Sequence, residues 1–388
     1  MADVFMNTYH RLPVTFTRGS GAWLTDTDGK AYLDFTSGIA VNCLGHGYPP
    51  LVKAISEQAA RLNHVCNYYQ SDISEAFAQR LVAACAPVGM QRVFLANSGA
   101  EANEGACKIA RKYSLKRHGP GRHTIVTLKG SFHGRTITTL AATGQPKFHK
   151  DFGPFTEGFA FIPQGDAAAL DAALDKDAVA ALLIEAVQGE SGIFPQEPAF
   201  IHEAARLCAE RDILLMFDEI QCGVGRTGAF LACEAYGVRP DIVTLAKGLA
   251  GGVPAGAVLA GEKAACVFEY GDHGSTFGGN ALAAAAGLIV LETVTEPAFL
   301  AEIARKGERL MEGLRGLEQS GVKAVRGRGL IIGADVSAPA ADLLHAALAK
   351  GLLVLSAGPH TLRFLPPYII SGEEIETGLR LLREVLQP

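Results

Sequence analysis

The stretch Asp241-Ile242-Val243-Thr244-Leu245-Ala246-Lys247, followed by the glycine-rich residues Gly248 to Gly256, decides how the chain is read. A run of β-favouring and apolar residues that ends in one lysine and then glycines predicts a buried strand delivering a single amine to the rim of a sheet. In apolar surroundings an ammonium loses solvation and its pKa falls, which leaves a neutral amine able to attack a carbonyl compound. A lone strand-end lysine more often points into water, so the weight falls on what surrounds it.

Outward from that stretch, strands are predicted at Arg92 to Ala96, His123 to Leu128, Ala180 to Glu185 and Ile213 to Asp218, separated by helical stretches or long loops. One such helix carries Ala102, Ala106, Ile109, Ala110 and Tyr113 on one face. This alternation means an α/β fold with a mostly parallel sheet covered by helices, and ligands in such sheets bind beyond the carboxyl ends of the strands. Before it, Ala22 to Leu24 and Ala31 to Phe35 flank the turn Asp26-Thr27-Asp28-Gly29, and Ser37 to Pro50 reads as a loop held close to a site or an interface. After it come an alanine-rich helix (Ala281 to Thr293), an amphipathic helix (Phe299 to Leu317) and strand candidates at Leu330 to Val336, Leu352 to Leu355 and Leu362 to Leu365. A last helix opens with the capping box Ser371 to Glu374 and buries Ile375, Leu379, Leu382 and Val385. The expected division is residues 1–50 as part of a small domain, 51–293 as the large domain and 294–388 as the rest of the small one.

A chain of 388 residues with 48% hydrophobic and 19% charged content holds a large core and is not disordered. Its net charge of -5 comes with no basic run that could track a phosphate backbone, so no nucleic-acid partner is expected. The longest apolar run, Ala281 to Leu291, is far shorter than the ~20 residues of a membrane span. No secretory signal shows in Met1 to His10, and no metal-binding spacing links the eight cysteines, which read as core cysteines of a reducing cytoplasm.

Two further stretches could serve the lysine. Asn97-Ser98-Gly99-Ala100 opens a helix after a strand, where free backbone N–H groups and the helix dipole attract an anion. The strand Leu214 to Phe217 ends in Asp218, which brings a carboxylate to the same rim, suited to keeping a heterocyclic nitrogen protonated. Gly223, Gly225 and Gly228 match GxGxxG, the mark of a dinucleotide-binding dehydrogenase. Their context counts against that rival: polar and charged positions separate them from the strand, and no acid follows ~20 residues on for a ribose.

Six ordered motifs together carry a resemblance. Ser98-Gly99-Ala100-Glu101-Ala102-Asn103, Ser131-Phe132-His133-Gly134-Arg135-Thr136, Glu185-Ala186-Val187-Gln188-Gly189-Glu190, Asp218-Glu219-Ile220-Gln221-Cys222-Gly223, the Lys247 stretch and Gly274-Ser275-Thr276-Phe277-Gly278-Gly279-Asn280 resemble those of the class III pyridoxal-phosphate aminotransferases. The resemblance implies a fold type I transferase whose small α/β domain is built from both termini. It implies pyridoxal 5'-phosphate as cofactor, Lys247 as its Schiff-base lysine and proton carrier, and Asp218 as partner of the ring nitrogen. Gln221 would bond the phenolic oxygen, Phe132 would stack on the ring, and Ser98, Gly99 and Ala100 would hold the phosphate. Ala100 stands where the family usually has threonine, which removes one hydroxyl. Thr276 would reach the phosphate of a neighbouring subunit, so a homodimer is implied.

The same resemblance implies transfer of the terminal amino group of N2-acetylornithine to 2-oxoglutarate, giving N-acetylglutamate 5-semialdehyde and glutamate, a step of arginine biosynthesis. Arg135 and Arg363 would be the carboxylate clamps, Ser275 would lie at the substrate, and Glu185 would neutralise Arg363 when the diamino acid is bound. Ile39 falls where the ornithine-specific relatives have a tyrosine for a free α-amino group, which favours an acylated nitrogen. Succinylornithine, N-succinyl-diaminopimelate, ornithine and 4-aminobutyrate remain alternatives.

Overall fold

The computed structural model describes residues 4–387. Its centre is a seven-stranded sheet in the order Met90–Ala96, Gly256–Gly261, Ile242–Leu245, Leu214–Asp218, Val179–Glu185, Thr124–Leu128, Phe159–Ile162. Gly256–Gly261 runs antiparallel to both its neighbours, and the other four pairings are parallel. The middle strands Val179–Glu185, Leu214–Asp218 and Ile242–Leu245 are buried throughout, which explains why they read as near-continuous apolar runs rather than alternating ones. Helices cover the sheet. Gly99–His118 lays Ala102, Ala106, Ile109 and Ala110 against it, while Ala281–Val294 packs on Pro49–Arg61 and Asp72–Cys85.

Both chain ends build the smaller part. Phe16–Ser20, Trp23–Asp26 and Ala31–Asp34 form an antiparallel meander, and Leu352–Leu353 joins it parallel to Ala31–Asp34. A second sheet orders Val322–Arg328, Ile331–Val336, Thr361–Phe364 and Leu355–Ser356. The last helix, Gly372–Leu386, is capped as its sequence signals: Ser371 Oγ accepts from Glu374 N, and Glu374 returns a carboxylate to Ser371 N. Its face of Ile375, Leu379, Leu382 and Val385 is buried.

The structure departs from the sequence reading in places. Gly256–Gly261 is a buried strand of Gly-Ala-Val-Leu-Ala-Gly, not an extension of the glycine-rich loop, because its backbone completes ladders on both sides. The GxGxxG stretch opens no helix. Gly225 (φ 86) and Gly228 (φ 87) make left-handed turns, and a Cβ on Gly228 would stand 2.8 Å from the Ala304 side chain, so these glycines serve close packing on the C-terminal helix Pro297–Arg315. Six cysteines are buried, but Cys66 and Cys266 are exposed. Among the described residues no single helix is long and apolar enough to cross a membrane.

Candidate active site

Strand register assembles the site. Asp218 pairs with Glu185 on one side and Thr244 on the other, so three polar residues stand abreast at the carboxyl ends of three parallel strands. Lys247 follows three positions past Thr244, and Ser98 follows two past Ala96, the end of the strand Met90–Ala96. These segments converge on a cavity of about 400 Å³, which Ser98, Gly99, Ala100, Phe132, His133, Arg135, Glu185, Asp218, Gln221 and Lys247 line together with Val41, Asn97 and Gly252 to Ala255.

Lys247 is half-buried, and burial chiefly lowers its amine below the ordinary lysine value, with Arg363 adding to the effect. Its φ of 42° lies in the left-handed region, which costs a non-glycine residue about 1–3 kcal/mol and marks a position fixed by its surroundings. Asp218 is almost wholly buried. Its Oδ2 accepts from Asn103 Nδ2 and from His133 Nδ1, both at 2.8 Å, and its Oδ1 accepts from Ile220 N at 3.0 Å. The helix Gly99–His118 is capped by Ser98, whose Oγ accepts from Glu101 N, and its first turn faces the cavity. Arg135 lies against Phe148, 4.1 Å from the ring centroid, and 5.4 Å from that of Phe132.

The pairing anticipated between Glu185 and Arg363 is not what the structure contains. Arg363 Nη1 donates to Glu190 Oε1 at 2.6 Å, to Gly189 O at 2.9 Å and to Gln221 Oε1 at 3.2 Å, while Gln221 Nε2 donates to the same Glu190 oxygen at 3.0 Å. Glu185 instead accepts from Phe132 N and Gly189 N. The reason is local. Glu185 ends a central strand, whereas Glu190 sits in the turn of the hairpin Val187–Gln188/Phe194–Pro195, which carries it out toward the C-terminal sheet. Burial pushes the Glu185 carboxyl up to about 7. Burial would raise Glu190 too, but the Arg363 guanidinium outweighs it and holds Glu190 below the usual range.

Within one chain Ser275 and Thr276 do not reach the cavity. They line a separate groove of about 870 Å³, and Ser275 Oγ accepts from Asn97 Nδ2 at 3.0 Å. Sequence reasoning gave no role to Asn103, His133 or Thr244. The available signal was a polar residue, Asn103, on the helical face of Ala102, Ala106 and Ile109, buried with them.

The donor set fits a phosphorylated pyridine aldehyde. It offers helix-start amides for an anion, an amine with lowered pKa for a carbonyl, and on Asp218 Oδ1 a second lone pair beside Ile220 N for a protonated ring nitrogen. A mostly parallel α/β sheet with a lysine, an aspartate and a helix N-terminus at one rim defines an aminotransferase-type site, and the chain belongs to the class-III aminotransferase family, whose sequence profile matches residues 4–386. It is 48% identical over 384 residues to the acetylornithine aminotransferase of Caldanaerobacter subterraneus subsp. tengcongensis, covering 98% of this chain and 96% of that one. Its structure is similar to the N-acetylornithine aminotransferase from Stenotrophomonas maltophilia, at a TM-score of 0.85 and 39% identity over 98% and 97% of the two chains. It is similar also to the ornithine aminotransferase from Toxoplasma gondii, at a TM-score of 0.93 and 33% identity over 99% and 92%, a protein with partial occupancy of PLP at its active site in a second structure.

Proposed function

We propose that this chain is a pyridoxal 5'-phosphate-dependent transaminase that moves the terminal amino group of N2-acetylornithine to 2-oxoglutarate. The observation that carries the reading is the shared cavity of Lys247 and Asp218, with one exposed arginine and one paired arginine beside it. The near-full-length identity to an acetylornithine aminotransferase supports the choice of diamino acid. When bound, pyridoxal 5'-phosphate supplies the electron sink that acidifies the carbon bearing the amino group.

The chain's own residues do the rest. Ser98, Gly99 and Ala100 would hold the phosphate at the helix start, Ala100 offering a backbone N–H where a threonine would add a hydroxyl. Asp218 would stabilise a protonated ring nitrogen in low dielectric, Phe132 would cover the ring, and Gln221, already bonded to Glu190, would bond the phenolic oxygen. Lys247 Nζ would take and return the proton, and burial, which lowers its pKa below the ordinary lysine value, favours the neutral amine that this needs. Arg135 takes the distal carboxylate of either substrate, a geometry that a guanidinium fork serves bidentately. Arg363 takes the second carboxylate of 2-oxoglutarate or glutamate and rests on Glu190 when the acylated substrate offers none. Glu185 holds the Phe132 backbone in place.

The working unit is a homodimer in the cytoplasm. The groove that holds Ser275 and Thr276 is rimmed by the exposed Tyr68 and Tyr270, with Phe277 exposed beside Thr276, and a second copy seated there would carry Thr276 toward the other cavity. Purified protein assayed with 2-oxoglutarate against N2-acetylornithine, succinylornithine, N-succinyl-diaminopimelate, ornithine and 4-aminobutyrate tests the reading. The highest kcat/KM is expected for N2-acetylornithine, and a higher value for any of the other four amino donors would overturn it.

A further inference from the structure

Asn103 is fully buried one turn into the helix Gly99–His118, and its side chain touches three elements at once. Its Nδ2 donates to Asp218 Oδ2 and to His133 O, both at 2.8 Å, and its Oδ1 accepts from Thr244 Oγ1 at 2.8 Å. The direction of every bond is forced. A carboxylate and a carbonyl only accept, so the amide nitrogen faces them, and its oxygen is left for the Thr244 hydroxyl, which must donate. Flipping the amide would set its oxygen against two acceptors in a dry site, a costly arrangement. His133 Nδ1 also donates to Asp218 Oδ2, so that oxygen has both lone pairs engaged. Oδ1, with Ile220 N alone, keeps one free.

We propose that Asn103 is a positioning residue that fixes which oxygen of Asp218 is presented to the cavity, with Thr244 bracing the Asn103 amide from its oxygen end. The helix that starts at the phosphate end of the cavity thereby sets the carboxylate at its ring-nitrogen end. Without the Asn103 amide, Asp218 Oδ2 holds His133 alone, and rotation of the carboxylate is opposed by one bond fewer. The inference rests on the transaminase reading, in which Asp218 faces the ring nitrogen.

The test compares pyridoxal 5'-phosphate with its 1-deaza analogue, which carries C–H in place of the ring nitrogen. Both are loaded into wild type, Asn103→Leu and Thr244→Val, and the apoprotein's affinity for each is measured alongside single-turnover rates with glutamate. In wild type the analogue is expected to react about 10²–10³-fold more slowly and to bind more weakly. In Asn103→Leu both ratios should shrink by at least about tenfold, and in Thr244→Val, which keeps the volume and loses one neutral hydrogen bond, by about two- to tenfold. A residue that only fills space would lower stability or the rates with both cofactors equally and leave the ratios unchanged, which would overturn the proposal. Should Asn103→Leu fail to fold, the Thr244→Val ratios decide alone. A wild-type holoenzyme whose visible absorbance does not respond to glutamate would instead refute the transaminase reading, a result separable from unchanged ratios in a responsive enzyme.

Discussion

At the Asp218 end of the cavity every hydrogen bond runs between the large sheet, its covering helix and the adjoining loops, whereas at the Arg363 end the guanidinium comes from the C-terminal sheet and its acceptors from the turn of a separate two-stranded hairpin and from Gln221, beyond the end of a large-sheet strand. Asp218 has three donors whose directions are fixed. Arg363 shares one Nη1 among Glu190, Gly189 and Gln221, and its buried Nε has no partner among the described residues. A buried cation with imperfect partners, reached across two sheets, can exchange its carboxylate at smaller cost than a carboxylate held from three directions. The first end suits a group that never leaves. The second suits two substrates taken in turn.

The most severe change available at the fixed end is Lys247→Ala. Turnover with N2-acetylornithine and 2-oxoglutarate should fall at least ~10⁴-fold, since both the nucleophile and the proton carrier go. Cofactor should remain bound through the helix start and Asp218, as equilibrium dialysis would register. Turnover near wild type without added amines would remove Lys247 from its role. Next comes Asp218→Asn, for which the rate of proton abstraction should drop about 10²–10³-fold with a smaller change in cofactor retention. If retention alone changed, Asp218 would be structural and the fixed end would have lost its chemical meaning.

At the exchanging end, Glu190→Gln is expected to slow the acetylornithine half-reaction about 10- to 100-fold and to spare or improve the glutamate half-reaction, where a substrate carboxylate replaces it. Rapid-mixing rates for each half-reaction separate the two. Equal losses in both would mean a permanent structural pair at Arg363. The smallest effect belongs to Glu185. Its carboxyl, raised by burial to about 7 from 4.5, keeps its proton in the folded chain after the unfolded chain has lost it. Its contribution to stability is therefore present below pH 4.5 and lost as the pH rises through 7. Glu185→Gln should gain on wild type by about 1–3 kcal/mol between pH 5 and pH 8, with half-reaction rates within about threefold of each other. Denaturant melts at both pH values check the sign, and a gain at pH 5 that vanishes at pH 8 would reverse it.

The alternation of strands and helices was legible because central parallel strands are buried on both faces and leave long apolar runs, as in Leu214–Asp218. Gly256–Gly261 was not, since small residues and glycines that make a close-packed antiparallel strand look like loop when no partner is visible. The Lys247 and Asp218 positions follow from strand ends alone. Glu185 and Glu190 could not be told apart, because they lie five residues from each other in one motif and only the intervening hairpin decides which one meets Arg363. Asn103 was hidden for a related reason: its partners Asp218 and Thr244 come from strands more than a hundred residues away.

The pairing of Leu33 with Leu352 has a consequence for how the chain is made. The amino-terminal meander leaves the ribosome first, but its parallel partner strand follows roughly 300 residues later, which at about 5–20 residues per second is a wait of some ~15–60 seconds. Through that interval the Ala31–Asp34 edge has no neighbour on its open side, and Leu33, buried in the finished protein, lacks that cover. Such an unpaired edge is a template for pairing with another chain, so this meander is open to misassembly during synthesis until Leu352–Leu353 arrives.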